Sequence, residues 1–525
     1  MSVSFGDVFD AIGRAARPEE AAVICDGAVT SWGAFDRHSN AVARALLATG
    51  LKTQDKVALY MRNGPEYLIA FAACFKARLV PVNINFRYGP AEIAYLLDNA
   101  DARAVIFDPV FRQSLPEADL VRVTTGEPTA GEHAFTSLKA VDAEPLRLPR
   151  SGDDIFLLYT GGTTGMPKGV MWPSTALWEA LATSRSVDPT KPPPMTVAAL
   201  EAQITSGLGR VRYAIPPPFM HGTGLFSAMS VLSRAGAVIC SRSPSFDPEA
   251  TLDAMVAERC DGLIIVGDAF AAPLVRTLDA QPLRWDLTRV TSVVSSGMMW
   301  SPDLKQGLLR HMPQAVLADG LGASEAASIA IAVTTKDIAT GEAQFALADA
   351  IVVDPETLQP LPPGSDTVGV IAKAGPLPLG YYKDPERTAR TYVVIDGVRR
   401  MIAGDHAMVL ADGSIKLLGR GAHCINTAGE KVYPEEVEQA LKTHHAVTDA
   451  LVFGVPDPHY GQKVAAVVSV VGEATATGLI AHVKERLAGY KAPKRIGLVA
   501  VVPRGPNGKA DYAGARAAFQ ALAED

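Results

Sequence analysis

Cysteine is scarce in this chain: five in 525 residues, at Cys25, Cys74, Cys240, Cys260 and Cys424, with no two at C-x-x-C spacing. That excludes a disulfide scaffold and a clustered zinc site, and it suits a reducing compartment. No stretch approaches the ~18 consecutive apolar residues of a membrane-spanning helix. The start, MSVSFGDVFDAIGRAARPEE, carries acidic residues and lacks the apolar core of a secretory signal. Surplus positive charge is missing too. The formal net charge is −7, so neither nucleic acid nor an anionic membrane is expected as the main partner. There is no repeat of fixed period. What is present is an ordinary globular mixture, 48 % hydrophobic and 20 % charged, in a chain too long for one core. A soluble cytoplasmic protein of at least two domains is expected. The oligomeric state is not fixed by the sequence, and a homodimer stays open.

Apolar runs alternate with helical patterns. VALYM (57–61) reads as a strand, EYLIAFAACFKA (66–77) as a largely apolar helix and LVPVNI (79–84) as a strand; EIAYLLDNA (92–100) is helical and AVIFD (104–108) extended. The same alternation returns at 251–267 and 303–322. Strands separated by helices of this length predict βαβ units, hence an α/β fold built on parallel sheets. Residues 184–210, with three consecutive prolines, read as a surface excursion: a tolerated loop or a lid on the substrate side. From about Arg420 the rhythm changes to helix (434–444), strand (449–455), strand (463–471), helix (478–489), strand (495–502), which predicts a small α+β domain. The expected division is 1–419, a hinge at 420–425, and 426–525.

One stretch carries a chemical signal of its own. Residues 157–172 read LLYTGGTTGMPKGVMW. An apolar run, Ile155 to Tyr159, feeds a loop of glycines, threonines and one lysine. Glycine lets backbone N–H groups approach an anion, threonine adds hydroxyl donors, and lysine adds charge. The loop is suited to phosphate. It is not a Walker A loop, because Lys168 follows Pro167 and precedes Gly169 rather than Ser or Thr.

YTGGTTGMPKGV resembles the signature of the adenylate-forming superfamily, which includes acyl-CoA synthetases, adenylation domains and firefly-type luciferases. Further motifs follow in the family's order, and the resemblance covers essentially the whole chain. It implies a large N-terminal adenylate-forming domain and a small mobile C-terminal α+β domain. The implied reaction has two halves: a carboxylic acid attacks the α-phosphate of ATP, releasing pyrophosphate, and the thiol of coenzyme A then displaces AMP. Bringing two anions together demands charge neutralisation by Mg²⁺, lysine and backbone dipoles. The implied phosphate loop is Thr160, Gly161, Gly162, Thr163, Thr164, Gly165 and Lys168.

The resemblance places other residues as well. GLGASEA (320–326) matches the Y-G-x-T-E motif: Glu325 would ligate Mg²⁺ with Thr160, Ser324 would meet the α-phosphate, and Gly320 and Leu321 would border the adenine. Leu321 stands where a tyrosine commonly stacks on the base. SVVSSGMMW (292–300) puts Ser296 and Gly297 at the nucleotide and Met298 and Met299 at the acyl pocket; Met298, Met299 and Trp300 could wall that apolar pocket or equally be plain core. PPPFMHGTGLF (216–226) puts His221 at the acyl pocket, beside the carboxylate and the path of the thiol, as a second catalytic candidate or a structural histidine. Amino-acid-activating relatives carry Phe-Asp there. Met220-His221 offers no anion for a substrate ammonium, so an α-amino acid is a poor substrate. AGDHAMVLADGSIKLLGR (403–420) supplies Asp405 for the ribose hydroxyls, a role suited to paired acceptors, and Arg420 for ribose or phosphate.

Beyond Arg420 the motifs concern the second half-reaction. The usual acidic or basic hinge residue is Ala422 here, followed by His423; backbone rotation survives that change, but charge-based control of the pivot does not. In NTAGEKVYPEEVE (426–438), Gly429 would lie against pantetheine, and Asn426 replaces the usual lysine. VPRGPNGKADY (502–512) places Lys509 as the lysine of adenylation. The implied activity is an AMP-forming acyl-CoA synthetase acting on a medium- or long-chain or bulky apolar acid, near the fatty-acid and steroid side-chain CoA ligases. Two other classes stay open: an adenylating enzyme that loads a carrier-protein thiol, and a non-catalytic acyl-adenylate binder.

Overall fold

The computed structural model describes residues 3–162, 165–182, 192–298, 300–337, 344–420, 425–427, 430–457, 461–487, 489–505 and 510–524. The chain forms two compact units. The larger comprises Met1–Trp300, Leu304–Ala339 and Lys373–Met401; the smaller comprises Ser301–Asp303, Thr340–Ala372 and Ile402–Asp525.

The α/β expectation for the larger unit holds. Its first sheet has seven strands in the order 132–134, 121–124, 102–107, 56–60, 80–83, 155–162, 165–173, parallel up to the final antiparallel pair. Strand Val80–Asn83 is buried at every position, as a parallel strand covered on both faces must be. Helix Pro65–Lys76 covers this layer and is itself buried from Tyr67 to Lys76, which explains its nearly all-apolar sequence. Its one cation, Lys76, is 1 % exposed and is held by Asp36 Oδ1 and Asn40 Oδ1, each at 2.7 Å. A second parallel run in the same unit passes through strands 316–323, 292–296, 262–265, 212–214, 237–240 and 21–25. Antiparallel strands 326–334 and 28–31 flank it.

In the smaller unit, strands 369–373, 405–409, 415–420 and 344–347 pair antiparallel in that order. After them comes the expected α+β pattern. Strands Val447–Asp457 and Gly461–Val470 pair antiparallel, and Arg495–Leu498 joins the second of them in parallel. Helices Pro434–Lys442 and Ala476–Lys484 cover one core through Val437, Leu441, Leu479 and Val483. A third helix, Tyr512–Glu524, buries Ala515 and Phe519 in a second cluster with Leu451 and Phe453.

Two expectations need correction. The glycine- and threonine-rich stretch is not a loop leaving a strand at Tyr159. Strand Ile155–Gly162 runs on into it and returns as Gly165–Pro173, so most of it is an antiparallel hairpin. Threonine suits a strand, and a glycine opposite a large ring lets two strands close. A Cβ at Gly169 would sit 2.7 Å from the Tyr159 ring. The excursion is not structureless either. Helix Val197–Thr205 lies within it, capped by Thr196. Leu200 and Ile204 are buried, the helix packs on Phe5–Ala15, and Glu201 pairs with Arg14 at 2.6 Å. Residues 183–191 of that stretch lie outside the described residues. Among the described residues no helix is long and apolar enough to cross a membrane.

Candidate active site

The hairpin brings Thr160 and Lys168 directly opposite each other across the two strands. A hydroxyl and an ammonium therefore stand side by side just below the Gly162–Gly165 tip. Burial lowers the Lys168 pKa below the ordinary lysine range, and Arg387 adds to this; Glu325 and Asp384 pull the other way. Lys168 is thus within electrostatic reach of Glu325. The Glu325 carboxylate accepts a 2.6 Å hydrogen bond at Oε1 from the Tyr381 hydroxyl. The neighbouring Ser324 carbonyl accepts one of 2.8 Å from Trp172 Nε1, a side chain on the hairpin's return strand.

The adenine-side candidates also meet. Ser296 ends its strand level with Gly320 on the next. Gly297 follows with φ +94, a left-handed conformation that favours glycine, and a Cβ there would come within 3.3 Å of Thr223 Oγ1. Thr223 Oγ1 donates to the Ser296 carbonyl at 3.4 Å. Thr223 lies two residues past His221, which immediately precedes helix Gly222–Leu232. Leu321 continues the strand beside Gly320, and Met298 is half-buried. Trp300 resolves toward plain core: it is 3 % exposed and packs in the cluster with Leu308 and Leu317.

Two asparagines that the sequence reading did not single out hold these parts together. Asn83 is fully buried at the end of its strand. Its Oδ1 accepts from Tyr159 N at 2.6 Å, and its Nδ2 donates to Tyr159 O at 3.0 Å and Met220 O at 2.5 Å. The side chain thus extends the ladder past the strand end and ties the hairpin to the His221 turn. Asn63 braces the segment before His221, donating to Pro217 O at 3.1 Å and accepting from Phe219 N at 2.7 Å. The signal available in the sequence was an asparagine inside VPVNI, a polar residue in an otherwise apolar strand. Tyr381 was missed as well, because its contact is with a residue 56 positions away.

In the smaller unit, Asp405 and Arg420 face each other in register across two strands, and Asp405 is 7 % exposed. Thr163, Thr164, Met299, Ala422, Gly429 and Lys509 lie outside the described residues. Only the backbone is described for Gly161, Gly162, Gly165 and Arg420.

A carboxylate and a hydroxyl are hard oxygen donors, which suits Mg²⁺ over a softer ion. Among the described residues no three His, Cys, Asp or Glu side chains converge on a metal position. The donor set therefore fits an ion that keeps most of its shell as water and phosphate, as Mg²⁺ does. Nearby, the Tyr392 hydroxyl is buried and unpartnered among the described residues, and it feels the Glu325 charge. A polar site beside a charged ligand accounts for such an orphan better than an apolar core does.

Comparison with known proteins decides the family. The AMP-binding enzyme model matches residues 12–382, and its C-terminal domain model matches 436–509. The chain belongs to the AMP-binding enzyme family. It falls in the acyl-CoA synthetase branch, as an acid–thiol ligase. A medium/long-chain-fatty-acid–CoA/3-oxocholest-4-en-26-oate–CoA ligase of Mycolicibacterium smegmatis is 38 % identical over 514 residues, 94 % of this chain and 93 % of the relative. A 3-oxocholest-4-en-26-oate–CoA ligase of Rhodococcus rhodochrous is 35 % identical, covering 94 % of this chain and 92 % of the relative. Among solved structures, ATP-bound MatB of Rhodopseudomonas palustris superposes with a TM-score of 0.79 at 25 % identity, covering 98 % of each chain. The amide bond synthetase McbA of Marinactinospora thermotolerans gives 0.81 at 25 % identity, covering 98 % of this chain and 99 % of its own.

Proposed function

We infer that this acyl-CoA synthetase activates a medium- or long-chain or bulky apolar carboxylic acid, and that the residues gathered around the hairpin bind the ATP it consumes. The observation that carries the reading is the Thr160–Lys168 pair with Glu325 in electrostatic reach. A cation and a hydroxyl on paired strands, with a carboxylate on the 324–325 turn, are what a metal-bound triphosphate requires. The apolar-acid reading is supported by the fatty-acid and steroid-acid names of the relatives. The Met220-His221 turn, which offers no carboxylate, also favours it, since an ammonium-bearing acid would go unpaired there.

In this reading Lys168 and the hairpin backbone hold the β- and γ-phosphates, which leave together as pyrophosphate. Ser296, Gly297, Gly320 and Leu321 border the base, Ser324 the α-phosphate, and Asp405 and Arg420 the ribose. Glu325 and Thr160 would hold Mg²⁺, which supplies charge neutralisation on the phosphates. The acid's carboxylate attacks the α-phosphorus with Lys509 lending its ammonium to the shared negative charge, and the bond to pyrophosphate breaks. Coenzyme A, passing Gly429 and His221, then attacks the acyl carbon and releases AMP. The segment beyond a 420–425 hinge would move between the two steps. We place the reaction in the cytoplasm: Cys25, Cys74, Cys240 and Cys260 are all buried free thiols, including Cys25 and Cys240, which are register neighbours on adjacent strands.

Carboxylate-dependent ATP–pyrophosphate exchange, screened over aromatic, fatty and steroidal acids, tests the reading. Exchange is expected with fatty or steroidal acids and weak with aromatic ones. Lys509→Ala is expected to lower it on the order of 10²-fold or more, the scale of removing one preorganised electrostatic group. No exchange with any acid would refute adenylation; exchange without CoA-dependent AMP release would redirect the acyl group to a carrier-protein thiol.

A further inference from the structure

Tyr381 lies outside every motif that points to this function, yet its hydroxyl is the group in contact with Glu325. It is 6 % exposed and donates 2.6 Å to Oε1. Among the described residues no second hydrogen bond or ion pair reaches that carboxylate. The tyrosine itself is placed by the hairpin. Leu379 N donates to Met171 O at 2.9 Å, Met171 N to Gly380 O at 2.9 Å, and Tyr382 N to Gly169 O at 2.8 Å. Residues 379–382 thus run alongside the return strand that bears Lys168. Tyr381 N donates to Thr388 Oγ1 at 2.9 Å, and the Arg387 guanidinium lies 5.6 Å from the ring centroid. Gly380 sits at φ +146 against the Thr388 side chain, where a Cβ would come within 2.3 Å, so the approach needs glycine. The Trp172–Ser324 bond gives the return strand a second grip on the turn before Glu325.

We propose that Tyr381 is a positioning residue that ties Glu325 to the phosphate-binding hairpin, holding one carboxylate oxygen so that the other is presented to the divalent ion at a set distance from Lys168 and Thr160. The inference rests on the reading of Glu325 as the metal ligand. A ligating carboxylate that is itself hydrogen-bonded loses no freedom when the ion arrives, and outer contacts of this kind are typically worth about 10–100-fold in metal affinity.

The test is equilibrium binding of α,β-methylene-ATP to the full-length protein without acid, titrated with Mg²⁺. Tyr381→Phe is expected to move the Mg²⁺ midpoint upward by about 10–100-fold, with Tm and nucleotide affinity at saturating Mg²⁺ close to the parent. Tyr382→Phe is the control, since that hydroxyl donates to Asp101 at 2.7 Å instead, and its midpoint should not move. Glu325→Gln separates the two layers. If it abolishes the Mg²⁺ dependence while Tyr381→Phe leaves the midpoint unmoved, the inference falls and the metal reading stands. Glu325→Gln with parent-like Mg²⁺ dependence overturns both. Tyr381→Phe that fails to fold, or that weakens nucleotide binding equally with and without Mg²⁺, assigns the tyrosine to the scaffold and also overturns the inference.

Discussion

Replacing Asn83 with alanine is expected to loosen two segments of the active site at once. The carboxamide is fully buried and makes three hydrogen bonds, to Tyr159 N, Tyr159 O and Met220 O. Truncation orphans one backbone N–H and two carbonyls. Each such group costs about 1–3 kcal/mol, and the lower half of that range applies because water can enter the space vacated. The expected loss is about 3–6 kcal/mol for the larger unit. The assay is built into the chain: all five tryptophans, at 32, 172, 178, 285 and 300, belong to that unit and are buried. Urea unfolding followed by tryptophan fluorescence therefore reports on it. Asn83→Asp sharpens the test. Aspartate keeps the acceptor for Tyr159 N but loses both donor bonds and turns a carboxylate toward two carbonyl oxygens. Its loss should equal or exceed that of alanine. A loss under about 1 kcal/mol for alanine, well below the sum of the orphaned groups, or a parent-like aspartate variant, would refute the ladder-extension account.

Gly169→Ala would place a methyl group 2.7 Å from the Tyr159 ring; forcing the strands apart should cost about 1–3 kcal/mol in the same urea assay and raise the apparent Kd for ATP. Burial lowers the Lys168 pKa, so its ammonium is lost at a lower pH than that of an exposed lysine. Triphosphate favours the protonated form, so ATP affinity should fall as pH rises through that lowered value, and Lys168→Arg should abolish the fall in a pH series of Kd. Lys305 and Asp319 form a buried pair at 3.0 Å. Lys305→Met should cost about 3–5 kcal/mol by stranding the carboxylate, and adding Asp319→Leu should restore most of the loss. Burial raises the Asp319 pKa in spite of Lys305. The folded state then takes up this proton before the unfolded one as pH falls, so Asp319→Leu should remove a contribution that favours folding as pH drops into that window.

The parallel strands and helices of the larger unit were legible because burial on both faces forces continuous apolar runs, such as VALYM and LVPVNI. The hairpin was legible in composition and not in shape. Its glycines and threonines mark an anion site, but nothing local to TGGTTGMPKG says that Thr160 pairs with Lys168. That pairing is set by the Tyr159 ring over Gly169 and by the 379–382 segment closing on the return strand. The helix Val197–Thr205 was hidden by the prolines that precede it, although its amphipathic residues Leu200 and Ile204 are four apart and both buried.

The residues read most easily are those that the reaction itself would demand. A triphosphate needs a cation and N–H donors, a hard ion needs a carboxylate, and only a few residue types meet those needs, so their identities stand out in a motif. The residues that hold them obey a different constraint. Asn83 and Tyr159 are separated by 76 positions, Tyr381 and Glu325 by 56, and Trp172 and Ser324 by 152. Each supplies a hydrogen-bond donor, a duty that other polar side chains perform equally well elsewhere in proteins, so residue type alone carries no signal. For Asn83 and Trp172 the selection follows from the fold, because a buried backbone group must be satisfied by whatever side chain reaches it; Tyr381 is selected in the same way by the Glu325 carboxylate. Motif reading will therefore recover the groups that touch substrate before the groups that aim them. In this chain Asn63, Asn83, Trp172 and Tyr381 belong to that second set.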